Sequence, residues 1–155
     1  MEKLKVGDKA PDFKAKNQLG EVVSLSDFTG KKLVLYFYPK DNTPGCTTES
    51  CNFRDNYDTL LSKGFEVVGV SVDGEASHKR FADKHNLPFN LLVDDEKKMV
   101  EDYQVWVEKN LYGRKYMGTA RTTFVINEEG TIEHIIKKVK NKEASQQILD
   151  LYEQG

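Results

Sequence analysis

Two cysteines five residues apart, Cys46 and Cys51, lie in the stretch Pro39-Lys40-Asp41-Asn42-Thr43-Pro44-Gly45-Cys46-Thr47-Thr48-Glu49-Ser50-Cys51. The apolar run Leu33-Val34-Leu35-Tyr36-Phe37-Tyr38 before them reads as a buried strand, and a helical pattern follows them. Cys46 therefore falls where a strand ends and a helix begins. With Thr43 as N-cap and Pro44 at the first helical position, it sits in the first turn. Unpaired backbone N–H groups and the positive end of the helix dipole favour a thiolate there, against an ordinary thiol value of about 8.5. Redox or nucleophilic sulfur chemistry is the natural reading.

The helix predicted over 46–62 has two faces. Cys46, Ser50, Phe53, Tyr57, Leu60 and Leu61 fall on the apolar side, whereas Cys51 aligns with Arg54, Asp55 and Asp58 on the polar side. Five helical residues give a rise of ~7.5 Å and a rotation of ~140°, which separates the two Cα atoms by ~8.7 Å. A disulfide tolerates less than about 7 Å. A Cys46–Cys51 bond would therefore act as a switch, with the helix intact when reduced and locally unwound when oxidised.

Around this motif the chain is ordinary. Its 155 residues suit a single domain, and 38% hydrophobic and 31% charged content match a soluble globular protein. The net charge of -2 argues against a nucleic-acid or anionic-membrane partner. The basic and aromatic stretch 106–116 reads as a loop or lid with an aromatic anchor. Residues 1–9 are charged with no apolar core of a signal peptide, and no membrane span is present, so a cytoplasmic location is expected. In a reducing compartment a cysteine pair is more often redox-active or metal-binding than a permanent staple.

The elements that must position the cysteines alternate. A strand is predicted over 32–38, the cysteine helix over 46–62 and a second buried strand over 65–72. A polar helix over 75–85, a short strand over 89–93 and a helix over 96–103 follow. Residues 104–120 read as irregular. The runs 122–126 and 131–136 flank Asn127-Glu128-Glu129-Gly130 as a hairpin, and Asn141 caps a last helix over 142–153. This order describes an α/β domain with a mixed central sheet flanked by helices. It is similar to a thioredoxin-like fold with an N-terminal extension and an insertion before the C-terminal hairpin.

These residues closely resemble the peroxiredoxin family, in particular its bacterioferritin-comigratory-protein or PrxQ subfamily. Pro39, Thr43 and Cys46 carry the family signature, and Cys51 stands where the subfamily places its second cysteine. The likeness extends to Gly7-Asp8-Lys9-Ala10-Pro11-Asp12-Phe13, Ser24-Leu25-Ser26-Asp27-Phe28, Lys115-Tyr116-Met117-Gly118 and Arg121-Thr122-Thr123-Phe124-Val125-Ile126.

The resemblance implies that Cys46 is the peroxidatic nucleophile, converted by peroxide to a sulfenic acid. It gives Arg121 the task of holding the thiolate and the departing oxygen, with Glu49 orienting the arginine. Thr43 and the backbone N–H groups near Gly45 and Cys46 would bind peroxide, while Pro39 shields Cys46 from water. Cys51 would be the resolving cysteine, forming an intramolecular disulfide that thioredoxin or a similar dithiol reduces. Hydrogen peroxide and organic hydroperoxides are the implied substrates. No metal or other cofactor is implied, and a monomer is expected.

Other readings compete. A disulfide reductase would use Cys-x-x-Cys, but four residues intervene here. A non-enzymatic redox sensor would use the same switch without turnover. His78 and His85 would share an exposed helix face without a third ligand, and His134 would face solvent. Gly30-Lys31 fails as a phosphate loop because Leu25 and Lys32 replace its required glycine and hydroxyl residue. The switch predicts lower hydrogen-exchange protection across 46–55 in the oxidised form; equal protection in both forms would contradict it.

Overall fold

The computed structural model describes residues 3–153. Met1 and Glu2, which begin the charged N-terminal stretch, and Gln154 and Gly155, which end the expected 1–155 unit, lie outside the described residues. A short antiparallel pair, β1 (Lys14–Lys16) and β2 (Val22–Ser24), precedes the central strand β3 (Lys32–Phe37). Next come α1 (Pro44–Asp55), α2 (Tyr57–Ser62), β4 (Phe65–Ser71), α3 (Glu75–His85), β5 (Asn90–Val93) and α4 (Lys98–Asp102). The chain closes with β6 (Trp106–Leu111), β7 (Arg114–Thr119), β8 (Thr122–Ile126), β9 (Ile132–Ile136), a 3₁₀ turn at Asn141–Glu143 and α5 (Ala144–Tyr152).

Five strands form one mixed sheet in the order β5-β4-β3-β8-β9. β3 lies at its centre, parallel to β4 and antiparallel to β8. Alternate side chains of β3 feed two core layers, as a strand's two-residue period requires. Leu33, Leu35 and Phe37 pack with Phe124, Met99 and Tyr103, while Val34 and Tyr36, with Tyr38 just beyond the strand, pack with Cys46, Phe53, Phe81 and Ile148. Covering both faces explains why this strand reads as a continuous apolar run.

Several expectations need correction. The cysteine helix does not run on to Ser62. It breaks at Asn56, whose Nδ2 bonds back to the Asn52 carbonyl at 2.9 Å; Tyr57 and Leu60 continue the apolar face in α2, while Leu61 at its edge is 40% exposed. The stretch 104–120 is not irregular, because β6 and β7 pair as an antiparallel hairpin. Its tip, Tyr112-Gly113, has φ of 53° and 80°, the two left-handed residues of a tight hairpin turn. Asn141 does not cap the last helix; α5 starts after Glu143 with no side-chain cap.

His78 is fully buried rather than exposed. Its Nδ1 meets Asp41 Oδ2 at 2.7 Å and its Nε2 meets the Leu92 carbonyl at 2.7 Å. Both ring nitrogens face acceptors, so only the imidazolium can donate to both. Asp41 also accepts from the Tyr38 hydroxyl at 2.6 Å and the Ser77 hydroxyl at 2.8 Å. Its backbone N–H donates to Asp73 at 2.8 Å. This network fixes the loop between β3 and α1, including Asn42 in the left-handed region at φ 60°.

Burial lowers the His78 pKa, but the Asp41 hydrogen bond and charge, with the Leu92 carbonyl and Asp73, more than offset it and leave the value raised above 6.5. A raised folded-state pKa contributes stability that is complete below the unfolded value and fades as pH rises through the folded one. His78→Leu should therefore cost about 1–3 kcal/mol, more at pH 5.5 than at pH 9. Urea unfolding of both proteins at the two pH values checks this; a cost independent of pH would show that folding does not raise the His78 pKa.

Candidate active site

Cys46 lies in the first turn of α1, 1% exposed. Pro44 takes the first helical position, as the sequence predicts. Thr43 occupies the N-cap position, but its side chain does not cap the helix. Its hydroxyl donates to the Lys40 carbonyl at 2.8 Å, which leaves the oxygen's lone pairs to accept a proton from a bound molecule. Pro39 is half-buried in the bend that leaves β3.

Arg121 reaches this place through strand pairing. β8 runs antiparallel to β3 with Thr122 opposite Phe37, so the residue before Thr122 emerges at the sheet end where the cysteine loop begins. Its Nη2 donates to Cys46 Sγ at 3.2 Å, and its Nη1 donates to Glu49 Oε1 at 2.7 Å. Glu49, three residues beyond Cys46, is 0% exposed. Burial outweighs the attraction of Arg121 and pushes the Glu49 carboxyl up to about 7. Its Oε2 is buried with no hydrogen-bond partner, in keeping with an anion that is incompletely solvated. Burial also opposes the charge on Arg121, but Glu49 and Cys46 more than restore it.

Gly45 makes the approach possible. A Cβ there would stand 3.2 Å from Arg121 Nη2 and 3.0 Å from Asn141 Nδ2. Asn141 thus joins the site although the sequence suggested a helix cap. Lys109 is a second addition, from the inner side of the β6–β7 hairpin. Burial and Arg121 lower its pKa while Cys46 raises it, which places its ammonium within electrostatic reach of both. Recognising 106–119 as a hairpin is the signal that would have found it. Cys51 stands apart from this cluster, half-buried on the same helix, and both cysteines are free thiols.

Among the described residues, Asp41, Asp73 and His78 gather as potential metal ligands within 4.8 Å of one another. Their atoms are already engaged by Tyr38, Ser77, Ser71 and each other, which is the chemistry of a structural network. His85 is partly buried against Phe81, at a ring separation of 5.4 Å. His134 is half-buried against Tyr152.

The AhpC/TSA family matches residues 6–135 of this chain. The chain is a peroxiredoxin of that family. It is 49% identical over 154 residues to peroxiredoxin Bcp of Bacillus subtilis, covering 97% of this chain and 98% of the relative. Against peroxiredoxin Bcp of Escherichia coli K12 the identity is 44%, with 90% of each chain covered. The crystal structure of a cysteine-to-serine mutant of Xylella fastidiosa PrxQ superposes with a TM-score of 0.90 at 30% identity, covering 97% of this chain and 96% of that one. The Xanthomonas campestris bacterioferritin comigratory protein, solved as trapped intermediate and ligand complexes that bear on its alkyl peroxide reduction activity, gives 0.87 at 32% identity, covering 95% and 96%. This peroxiredoxin therefore has the thioredoxin-like fold of those structures and is an oxidoreductase, a thiol-dependent peroxidase.

The Glu49 carboxyl should mark the pH response of the thiol beside it. Alkylation of Cys46 should show a step near pH 7 in the wild-type peroxiredoxin that Glu49→Gln lacks. Superimposable pH profiles would mean that this carboxylate does not act on the sulfur.

Proposed function

We propose that Cys46 is the peroxidatic cysteine and Cys51 the resolving cysteine of a thioredoxin-dependent cycle. The observation that carries this reading is the guanidinium of Arg121 at 3.2 Å from Cys46 Sγ. A fixed cation with limited access to water favours the thiolate over the thiol and is in place to receive charge on a departing oxygen. The thiolate attacks one peroxide oxygen, the O–O bond breaks, and the leaving oxygen takes a proton to become water or an alcohol. Sulfur is oxidised by two electrons to the sulfenic acid.

Thr43 and the N–H groups of Gly45 and Cys46 bind the peroxide, and Pro39 limits access of bulk water. The free lone pairs of the Thr43 hydroxyl support its part, since its own proton is committed to Lys40. Glu49 orients Arg121, a role supported by the 2.7 Å bond between them. Organic hydroperoxides join hydrogen peroxide as substrates, supported by the similarity to the Xanthomonas protein with alkyl peroxide reduction activity. Cys51 then condenses with the sulfenic acid, and a dithiol such as thioredoxin exchanges with the resulting disulfide. Recycling of this kind fits a monomer of residues 1–155 in the reducing cytoplasm. No helix among the described residues is long and apolar enough to cross a membrane.

Intact mass after one equivalent of hydrogen peroxide, followed by thiol blocking, tests the cycle. Loss of two hydrogens with no alkylation, reversed by thioredoxin, is expected; two alkylated cysteines and unconsumed peroxide would remove it. Cys46→Ser should abolish peroxide consumption. Cys51→Ser should consume about one equivalent and then stop or over-oxidise. Steady thioredoxin-driven turnover by Cys51→Ser would show that another group resolves the intermediate.

A further inference from the structure

Asn52 follows Cys51 on α1, and its side chain stitches the helix to the C-terminal segment. Its Nδ2 donates to the Lys142 carbonyl at 2.8 Å, and its Oδ1 accepts from the Ser145 backbone N–H at 2.8 Å. The Ser145 hydroxyl, on a residue 1% exposed, donates to the Asn52 carbonyl at 3.2 Å. Further up the helix the Asn141 amide rests on Gly45. Ala144 and Ile148 share the core layer of Cys46 and Phe53. The C-terminal segment therefore lies against α1 from its first turn to the residue beyond Cys51.

The two cysteines cannot bond while this helix is whole, because five helical residues hold their Cα atoms ~8.7 Å apart. One of them must travel. Cys46 is buried in the core and tied to Arg121. Cys51 is half-buried and lines an open depression with Thr47, Asn52, Asp55 and Lys142. Cys51 is the one free to move, and its covalent neighbour carries the stitches.

We propose that Asn52 is the positioning residue of the resolving step: its latch to Lys142 and Ser145 holds Cys51 away from Cys46, and the latch must open before the disulfide forms. This rests on Cys51 being the resolving thiol. Once Cys51 is released, its sulfur attacks the sulfenic sulfur of Cys46. The S–S bond forms, the S–O bond breaks, and the hydroxyl leaves with the Cys51 proton as water. While the latch is closed the sulfenic acid waits, and a second peroxide can carry it to the sulfinic acid. The strength of the latch thus sets how much peroxide the enzyme tolerates.

Rapid-quench intact mass on Asn52→Ala and Ser145→Ala tests the latch. Asn52→Ala should convert sulfenic acid to disulfide roughly three- to tenfold faster. The peroxide concentration that yields the sulfinic acid should rise by the same factor, with the rate of the first oxidation unchanged. Ser145→Ala, which removes a single hydroxyl from the latch, should shift both in the same direction by less, and it carries the test if Asn52→Ala does not fold. A purely structural role would lower the unfolding temperature without changing the ratio of disulfide to sulfinic acid. Disulfide formation in both variants at the wild-type rate or slower would overturn the latch and leave the Cys51 assignment standing. Absence of any Cys46–Cys51 disulfide in the wild-type protein would remove that assignment and the latch together.

Discussion

A sulfur anion in a nearly dry setting persists only where a cation is fixed beside it. In this peroxiredoxin a cation is fixed beside the buried sulfur: Arg121 bonds to Cys46 on one nitrogen and to Glu49 on the other. Burial raises the Glu49 carboxyl even with the guanidinium bonded to it, so the cation only partly offsets the loss of water around that group. Lys109, on the β6–β7 hairpin, is a second cation whose charge is felt by Arg121 and Cys46. The strand register, Gly45 without a side chain, and the hairpin packed at the sheet end all serve to bring these charges together.

The same loop separates what stays still from what moves. Before Cys46, the buried network of Asp41, His78, Tyr38 and Ser77 ties the end of β3 to α3. Beyond it, side-chain hydrogen bonds tie α1 to the C-terminal segment through Asn52 and Ser145, and to the sheet through Arg121 and through Tyr36 with Ser50 at 2.8 Å. The end of α1 near Cys51 is partly exposed, whereas its Cys46 and Phe53 side chains belong to the core layer on one face of β3.

Local features were legible in the sequence. The buried strand, Pro44 at the helix start, Cys46 in the first turn and Glu49 one turn on all follow from short-range chemistry. What escaped depends on contacts distant along the chain. Arg121 is reached through family resemblance and not through spacing, because it lies 75 residues from Cys46 and meets it only through the β3–β8 register. His78 finds Asp41 and Leu92, respectively 37 and 14 residues away, and so is a core residue despite its polar helix. Leu61 falls at the edge of the face that Tyr57 and Leu60 bury, and β6–β7 went unseen because Tyr-Gly is a less familiar pair at a tight turn.

Trp106, the chain's single tryptophan, stands at the base of that hairpin, opposite Thr119 in the ladder. The Lys97 ammonium lies 5.6 Å from the centre of its ring. Arg121 is two residues beyond Thr119. The indole is therefore a built-in optical reporter: its emission responds to the polarity and charge around the strand that leads to Arg121.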